Sequence, residues 1–255
     1  ELGKTRWEVP YLEPDEEAWR EHRATMDAHL PFRDFELARP TADGGRRYVS
    51  VSGFPVFDAG GQFLGYRGVG RSITQLKRAE AERRTHLWFV ESMDRINRAT
   101  HAGHELEDMA GETLEAVIDI FSCDRAWPVQ PCDPRAAGWR AVAERTRLQC
   151  PPAFPAGEDV ATDADMAALF AAAISSSRPV LLLPAPLAER LAARSQLAMA
   201  LRPKGALPYL LGMHQCSQAR AWTEVEQRLF REIGRRLTDA LTGVLAFSKL
   251  AESER

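Results

Sequence analysis

The sequence predicts an α+β fold: a small antiparallel sheet, one long helix, and a second antiparallel sheet flanked by helices. Three observations predict it. Residues 32–74 alternate apolar and polar positions and are cut by two Gly-rich turns, Asp43-Gly44-Gly45 and Asp58-Ala59-Gly60-Gly61, which is the pattern of antiparallel hairpins. Residues 73–99 contain neither Gly nor Pro and are dense in Arg, Glu, Ala and Leu, so a helix is their cheapest conformation. Residues 101–255 then mix strand-like and helical periods and close with an amphipathic helix.

The first element is a helix. Asp15, Glu16 and Glu17 follow Pro14 as first-turn acids, and Trp19, His22, Met26 and Leu30 recur at helical spacing before Pro31 stops it. The period then becomes two. Phe32–Arg39, Arg47–Phe57 and Gln62–Thr74 read as three strands. Pro55 asks for an edge position or a bulge in the second of them.

A continuous helix of roughly 25 residues over 73–99 measures about 38 Å. It divides in two. From Gln75 to His86 the only large apolar residue is Leu76, and Arg78/Glu82 and Glu80/Arg84 are opposite charges four apart, worth about 0.2–0.5 kcal/mol each on an exposed face. From Leu87 onward, Leu87, Trp88, Phe89, Val90, Met93 and Ile96 occupy nearly the whole circumference, so this half is expected to be buried on several sides. Ile73, Leu76, Leu87 and Val90 mark a partial coiled-coil seam. With more apolar surface than one sheet can cover, Leu87 and Val90 are the expected contact of a parallel homodimer, joined by Val244 and Phe247 of the last helix.

In the second body a helix begins at His104 and buries Leu106, Met109, Leu114, Val117, Ile118 and Phe121. Strands are expected at Asp124–Gln130 and Gly138–Glu144, a helix at Asp163–Ser175, a buried strand at Pro179–Leu183, a short helix at Pro186–Arg194, and strands at Leu197–Leu201 and Leu207–Cys216. Thr223 with Glu226 three residues on is a capping box. The helix it opens carries Val225, Leu229, Ile233, Leu237, Ala240, Val244 and Phe247 at spacings of three and four.

Bulk properties narrow the function. A chain of 255 residues has room for two modest domains. Its net charge of -3, from interspersed acids and bases, gives no argument for nucleic acid or an anionic membrane. No apolar run approaches the ~20 residues needed to span a bilayer. The four cysteines, Cys123, Cys132, Cys150 and Cys216, form no CxxC pair, so neither a disulfide framework nor a zinc module is indicated and a reducing, cytoplasmic setting is expected. No nucleophile, orienting base and oxyanion donor converge, and the region is expected not to be an enzyme.

Gly3–Glu8, the strand Arg47–Phe57 and above all Gly65-Tyr-Arg-Gly-Val-Gly-Arg-Ser-Ile-Thr74 resemble the second half of a PAS domain. That family's opening strands are not found here, so residues 1–74 are expected to be a domain remnant with one sheet face poorly covered, packing on a second copy or on the next domain. Phe121-Ser-Cys-Asp-Arg-Ala-Trp127 and Leu211-Gly-Met-His-Gln-Cys-Ser-Gln-Ala-Arg-Ala-Trp-Thr223 are similar to GAF domains of bacterial sensor histidine kinases and of chromophore-less cousins of phytochromes, a resemblance covering residues 85–250. Together they imply a C-terminal part of a PAS domain at 1–74, a linker or signalling helix at 75–100, and a GAF domain at 101–255 whose last helix leads to an output domain beyond Arg255. The implied function is the sensory input region of a two-component protein.

The resemblance leaves the cofactor unknown. His214 and Cys216, two apart on a predicted strand, share a face and could flank a small-molecule pocket or a metal, or be ordinary packing residues. Bilin-binding relatives carry Cys followed by His; Leu187–Ser195 has neither and Ser217 follows Cys216, which argues against a covalent bilin. The Asn-Lys-X-Phe-Asp/Glu run of cyclic-nucleotide-binding GAF domains is missing. Asp124 is expected in a structural ion pair with its neighbour Arg125. Two rival functions stand beside this one: a ligand-free dimerisation module, and a thiol enzyme, which needs two cysteines in one pocket where the sequence offers no close pair.

Overall fold

The computed structural model describes residues 8, 9, 11–101, 106–154 and 157–253, with side chains as far as residue 247. Gly3 to Trp7 of the PAS resemblance, and Gly103 to Glu105 at the start of a predicted helix, lie outside them. The fold is α+β with antiparallel sheets, in two compact units that divide between Leu87 and Trp88.

The first unit opens with α1, Glu16–Asp27. The Asp15 carboxylate caps it by accepting the Ala18 N–H at 3.0 Å, satisfying one of the free first-turn donors. The helix stops at Asp27, short of the expected Leu30, because the chain turns through His29 at a φ of 55°. Strands β1 (Phe32–Pro40), β2 (Arg46–Phe57) and β3 (Phe63–Ser72) form an antiparallel sheet in that order. The small core of Phe32, Leu37 and Val51 sits under α1, where the buried His22 ring stacks on Phe35 at 3.7 Å. β1 begins with Phe32 opposite Gly53 and pairs no further along β2, so Pro55 lies where β2 has only β3 as a neighbour, a place that tolerates a missing N–H. β3 leaves Leu64 65% and Val69 77% exposed. Helix α2, Thr74–Thr100, begins where the Thr74 hydroxyl accepts the Tyr48 N–H at 2.9 Å; its buried residues, Ser92, Ile96, Ala99 and Thr100, all lie beyond the unit boundary.

The second unit adds α3 (Leu106–Phe121), β4 (Arg125–Gln130), β5 (Gly138–Ala141), β6 (Arg145–Thr146), β7 (Val160–Ala161), α4 (Ala164–Ser175), α5 (Ala185–Arg190), β8 (Ser195–Leu201), β9 (Tyr209–Gln215) and α6 (Glu224–Ser253). The sheet runs β7-β5-β4-β9-β8, with β6 paired to β4. Period-two alternation sorts its residues. Leu197, Leu201, Leu211 and Met213 join α2, α3 and α6 in one core, and Trp127, Val129, Ala198 and Leu210 join α4, α5 and Phe154 in the other. α6 lies tightly on β8, since a Cβ at Gly234 would overlap Met199. The capping box is present: Thr223 N–H donates to Glu226 at 2.8 Å and Glu226 N–H to the Thr223 hydroxyl at 3.3 Å. Among the described residues no helix is long and apolar enough to cross a membrane.

The expected strand Pro179–Leu183 is reduced to one bridge, Val180 with Ala198, and Leu181 and Leu182 are 49% and 45% exposed. Pro179 and Pro184 at the ends of the run have no N–H to give to a ladder. The two-residue strands β6 and β7 were too short to carry a period.

Candidate functional site

Arg125 starts β4 in phase with Trp127 and Val129, so the pleat places its guanidinium in the interior, 1% exposed. The fold supplies hydrogen-bond acceptors to both of its terminal nitrogens. Nη1 donates to the Leu191 carbonyl at 2.8 Å, and Nη2 donates to the Pro151 carbonyl at 2.7 Å and to Cys150 Sγ at 3.3 Å. Nε lies 3.2 Å from Glu144 Oε1. Glu144 also accepts the N–H groups of Ala153 and Phe154 at 2.9 and 3.2 Å. One charge pair therefore ties the sheet to the 150–154 loop and to the end of α5.

His214 faces Arg125 in register across β4 and β9. Its Nδ1 is 3.3 Å from Arg125 Nη1 and 3.4 Å from Trp127 Nε1, both donors, so Nδ1 is the acceptor. Nε2 then carries the proton and donates to Gln196 Oε1 at 3.0 Å, and Gln196 donates onward to the Leu182 carbonyl at 2.5 Å. The chain Arg125, His214, Gln196, Leu182 is fixed in one direction. Burial, and then the Arg125 charge, push the His214 pKa down to about 3, so the ring is neutral.

Asp124 has a different role from the one expected. Its Oδ2 accepts the N–H groups of Cys216 and Ser217 at 2.7 and 2.8 Å, the Ser217 hydroxyl at 2.9 Å and the Gln215 amide at 2.7 Å. Burial raises its pKa, but those donors and the Arg147 charge outweigh it and hold the carboxyl below its ordinary value. Asp124 pins the end of β9, and the ion pair of Arg125 is made with Glu144 instead.

The predicted residues fall in separate places. His214 is fully enclosed with both ring nitrogens engaged; Cys216, just past β9, is half-buried. The structure brings Cys216 beside Cys150, a hydrogen-bonding neighbour from a loop 66 positions earlier, where the sequence offered no close pair. Leu87 and Val90 are 45% and 50% exposed, Phe247 is 69% exposed, and Val244 packs half-buried against the α6 core. Glu144 and Gln196 were missed, and Arg125 was expected only as the partner of Asp124. The signal for Arg125 is its alternation with Trp127 and Val129, which demands a buried counter-charge; nothing marks Glu144 as that partner.

An open pocket of about 650 Å³ is lined by Glu107, Asp108, the 141–146 segment, Pro152 and Phe154. Phe154 is part of that lining, and its ring also packs, tilted, 4.8 Å from Trp127 and 6.3 Å from His214. Among the described residues no group of three or more His, Cys, Asp and Glu could hold a metal ion.

No family model matches the chain, and no curated protein does. Solved structures do. The phycoerythrobilin-bound GAF domain from a cyanobacterial phytochrome matches with a TM-score of 0.51 and 16% identity, over 64% of this chain and 99% of that one. The chromophore-binding domain of the Stigmatella aurantiaca bacteriophytochrome matches with a TM-score of 0.51 and 13% identity, over 92% of this chain and 79% of that one. A far-red absorbing protein with bound biliverdin IXa matches with a TM-score of 0.51 and 15% identity, over 60% and 98%. At such identities the likeness is one of fold: the chain contains the fold of a GAF domain.

Proposed function

We propose that this chain is the sensory input region of a bacterial signal-transduction protein, a sensor histidine kinase of a two-component system, and that it passes a ligand- or partner-dependent change through paired helices without catalysing a reaction itself. The observation that carries this is the sharing of one core by the sheet and the helices: Leu211 and Met213 of β9 pack with Ile96 of α2 and with Phe230, Ile233 and Leu237 of α6. The same strand holds His214 on its other side. A shift of β9 at the Arg125 chain is therefore felt by the helices directly, and a packed core passes such a shift on as a change between discrete arrangements. The fold likeness to bilin-bound photosensory domains supports a sensory role. The residues here argue against a covalent bilin, so the ligand is of another kind. The chain acts as a cytoplasmic homodimer.

A ligand moves such an equilibrium only by its differential affinity for two helix arrangements. Native mass spectrometry and an absorption spectrum of protein purified from cells identify a bound haem, flavin or other small molecule. Hydrogen exchange with and without that molecule then tests the path. Altered protection in α2 and α6 is expected; bound ligand with unchanged protection in both helices would overturn the function.

A further inference from the structure

Two thiols distant in sequence meet beside the Arg125 chain. Asp124 is the hinge of their meeting: its carboxylate holds the Cys216 N–H at 2.7 Å, while its carbonyl accepts the Arg147 N–H at 2.9 Å, and Arg147 in turn accepts the Cys150 N–H at 2.8 Å. Arg125 reaches the same place, with Nη2 donating to Cys150 Sγ at 3.3 Å. Cys150 is 6% exposed and Cys216 is half-buried, so Cys216 is the more accessible of the two. We propose that Cys150 and Cys216 are a thiol oxidation site, closed into a reversible disulfide by a peroxide. This goes beyond the sensory function and does not depend on it.

The chemistry balances with hydrogen peroxide as oxidant. The Cys150 thiol attacks one peroxide oxygen as it gives up its proton; the O–O bond breaks, and the departing hydroxide takes that proton to leave as water, giving a sulfenic acid on Cys150. The Cys216 sulfur then attacks Cys150 Sγ, the S–O bond breaks, and a second water leaves with the Cys216 proton. Two thiols lose two protons and two electrons in all, and one peroxide becomes two waters. The Arg125 N–H on Cys150 marks it as the attacking sulfur, because a charge-assisted donor stabilises negative charge on the atom it meets. Cys216 is the resolving partner. Burial, followed by the Cys150 contact, pushes its thiol up to about 12, which disfavours it as the first sulfur to attack.

Oxidation has a structural consequence. The 150–154 loop hangs on Glu144 through Ala153 and Phe154 and lays Phe154 on Trp127. A bond from Cys150 to the end of β9 draws that loop toward the strand and alters the surroundings of Trp127. Cys123 and Cys132 are fully buried elsewhere and serve as internal controls.

The test treats the reduced chain with hydrogen peroxide, followed by peptide mapping, thiol titration under denaturing conditions and tryptophan fluorescence. The expected result is a Cys150–Cys216 linked peptide, a fall from four titratable thiols to two, and a fluorescence shift that dithiothreitol reverses. In Cys216→Ala, where no resolving thiol remains, dimedone should label Cys150. A peptide map with no Cys150–Cys216 link, or with Cys123 and Cys132 oxidised to the same extent, overturns the proposal.

Discussion

The Arg125 guanidinium lies 3.2 Å from the Glu144 carboxylate, with the two side chains 1% and 9% exposed. Removing one member of a buried pair leaves an uncompensated charge and costs about 3–5 kcal/mol. Glu144→Ala also strips the acceptor from the Ala153 and Phe154 N–H groups. Urea denaturation should therefore show a loss of that size. Adding Arg125→Met to Glu144→Ala should recover only part of it, because the Leu191 and Pro151 carbonyls then lose their donors. A loss below about 1 kcal/mol, the range of an exposed pair, would show that the charges are solvated.

His214 sets a pH dependence of definite sign. Its pKa falls from 6.5 to about 3 in the fold. Above 6.5 it is neutral in both states and contributes no slope. Between 6.5 and about 3 only the unfolded chain takes up the proton, so stability falls as the pH is lowered, by about 1.4 kcal/mol per unit at most. Arg125 is the charged group facing the ring; Gln196 and Trp127 are neutral. Comparing the wild type with His214→Gln isolates the effect, since Asp124 and Glu226 titrate in both. The stability gap between the two proteins should narrow on acidification, and parallel curves would mean that His214 is solvated.

Much of this fold was legible in the sequence because it rests on local rules. The capping box at Thr223 and Glu226, the apolar stripe of α6 and the alternation of β1 and β2 each follow from a period or a hydrogen bond within a few residues. The site was not legible, because its partners come from far apart in the chain. Glu144 meets Arg125 from the segment after β5, and Cys150 comes to Cys216 from a loop 66 positions earlier in the chain. Adjacency misled at Asp124, whose neighbour Arg125 points to the other side of the strand, as successive residues in a strand must. The proline-bounded run 179–183 had strand composition but only Val180 found a partner.

Gly212 of β9 faces Trp127 of β4 in register, and a Cβ added there would overlap the indole ring. The largest enclosed side chain of the sheet is thus accommodated by the absence of one on the next strand. Gly212→Ala should cost about 1–3 kcal/mol, the usual penalty of overpacking. Trp127→Phe removes the part of the ring that collides, so the two substitutions together should cost less than their sum, a coupling measurable by a double-mutant cycle. Strict additivity would show that the strands shift apart without strain.

Leu87 and Val90 stand one helical turn apart on α2, 45% and 50% exposed, while Ile96 of the same helix is fully buried. In a lone chain, exchanging exposed leucine and valine for glutamate changes stability by no more than about 0.5 kcal/mol. In a parallel pair of helices the same exchange sets carboxylates of both copies in one apolar seam, where like charges repel and lose their water. The two situations separate cleanly in sedimentation. Leu87→Glu with Val90→Glu should convert a wild-type dimer to a monomer of unchanged thermal stability, and a dimer that persists in the double variant would move the contact off this helix.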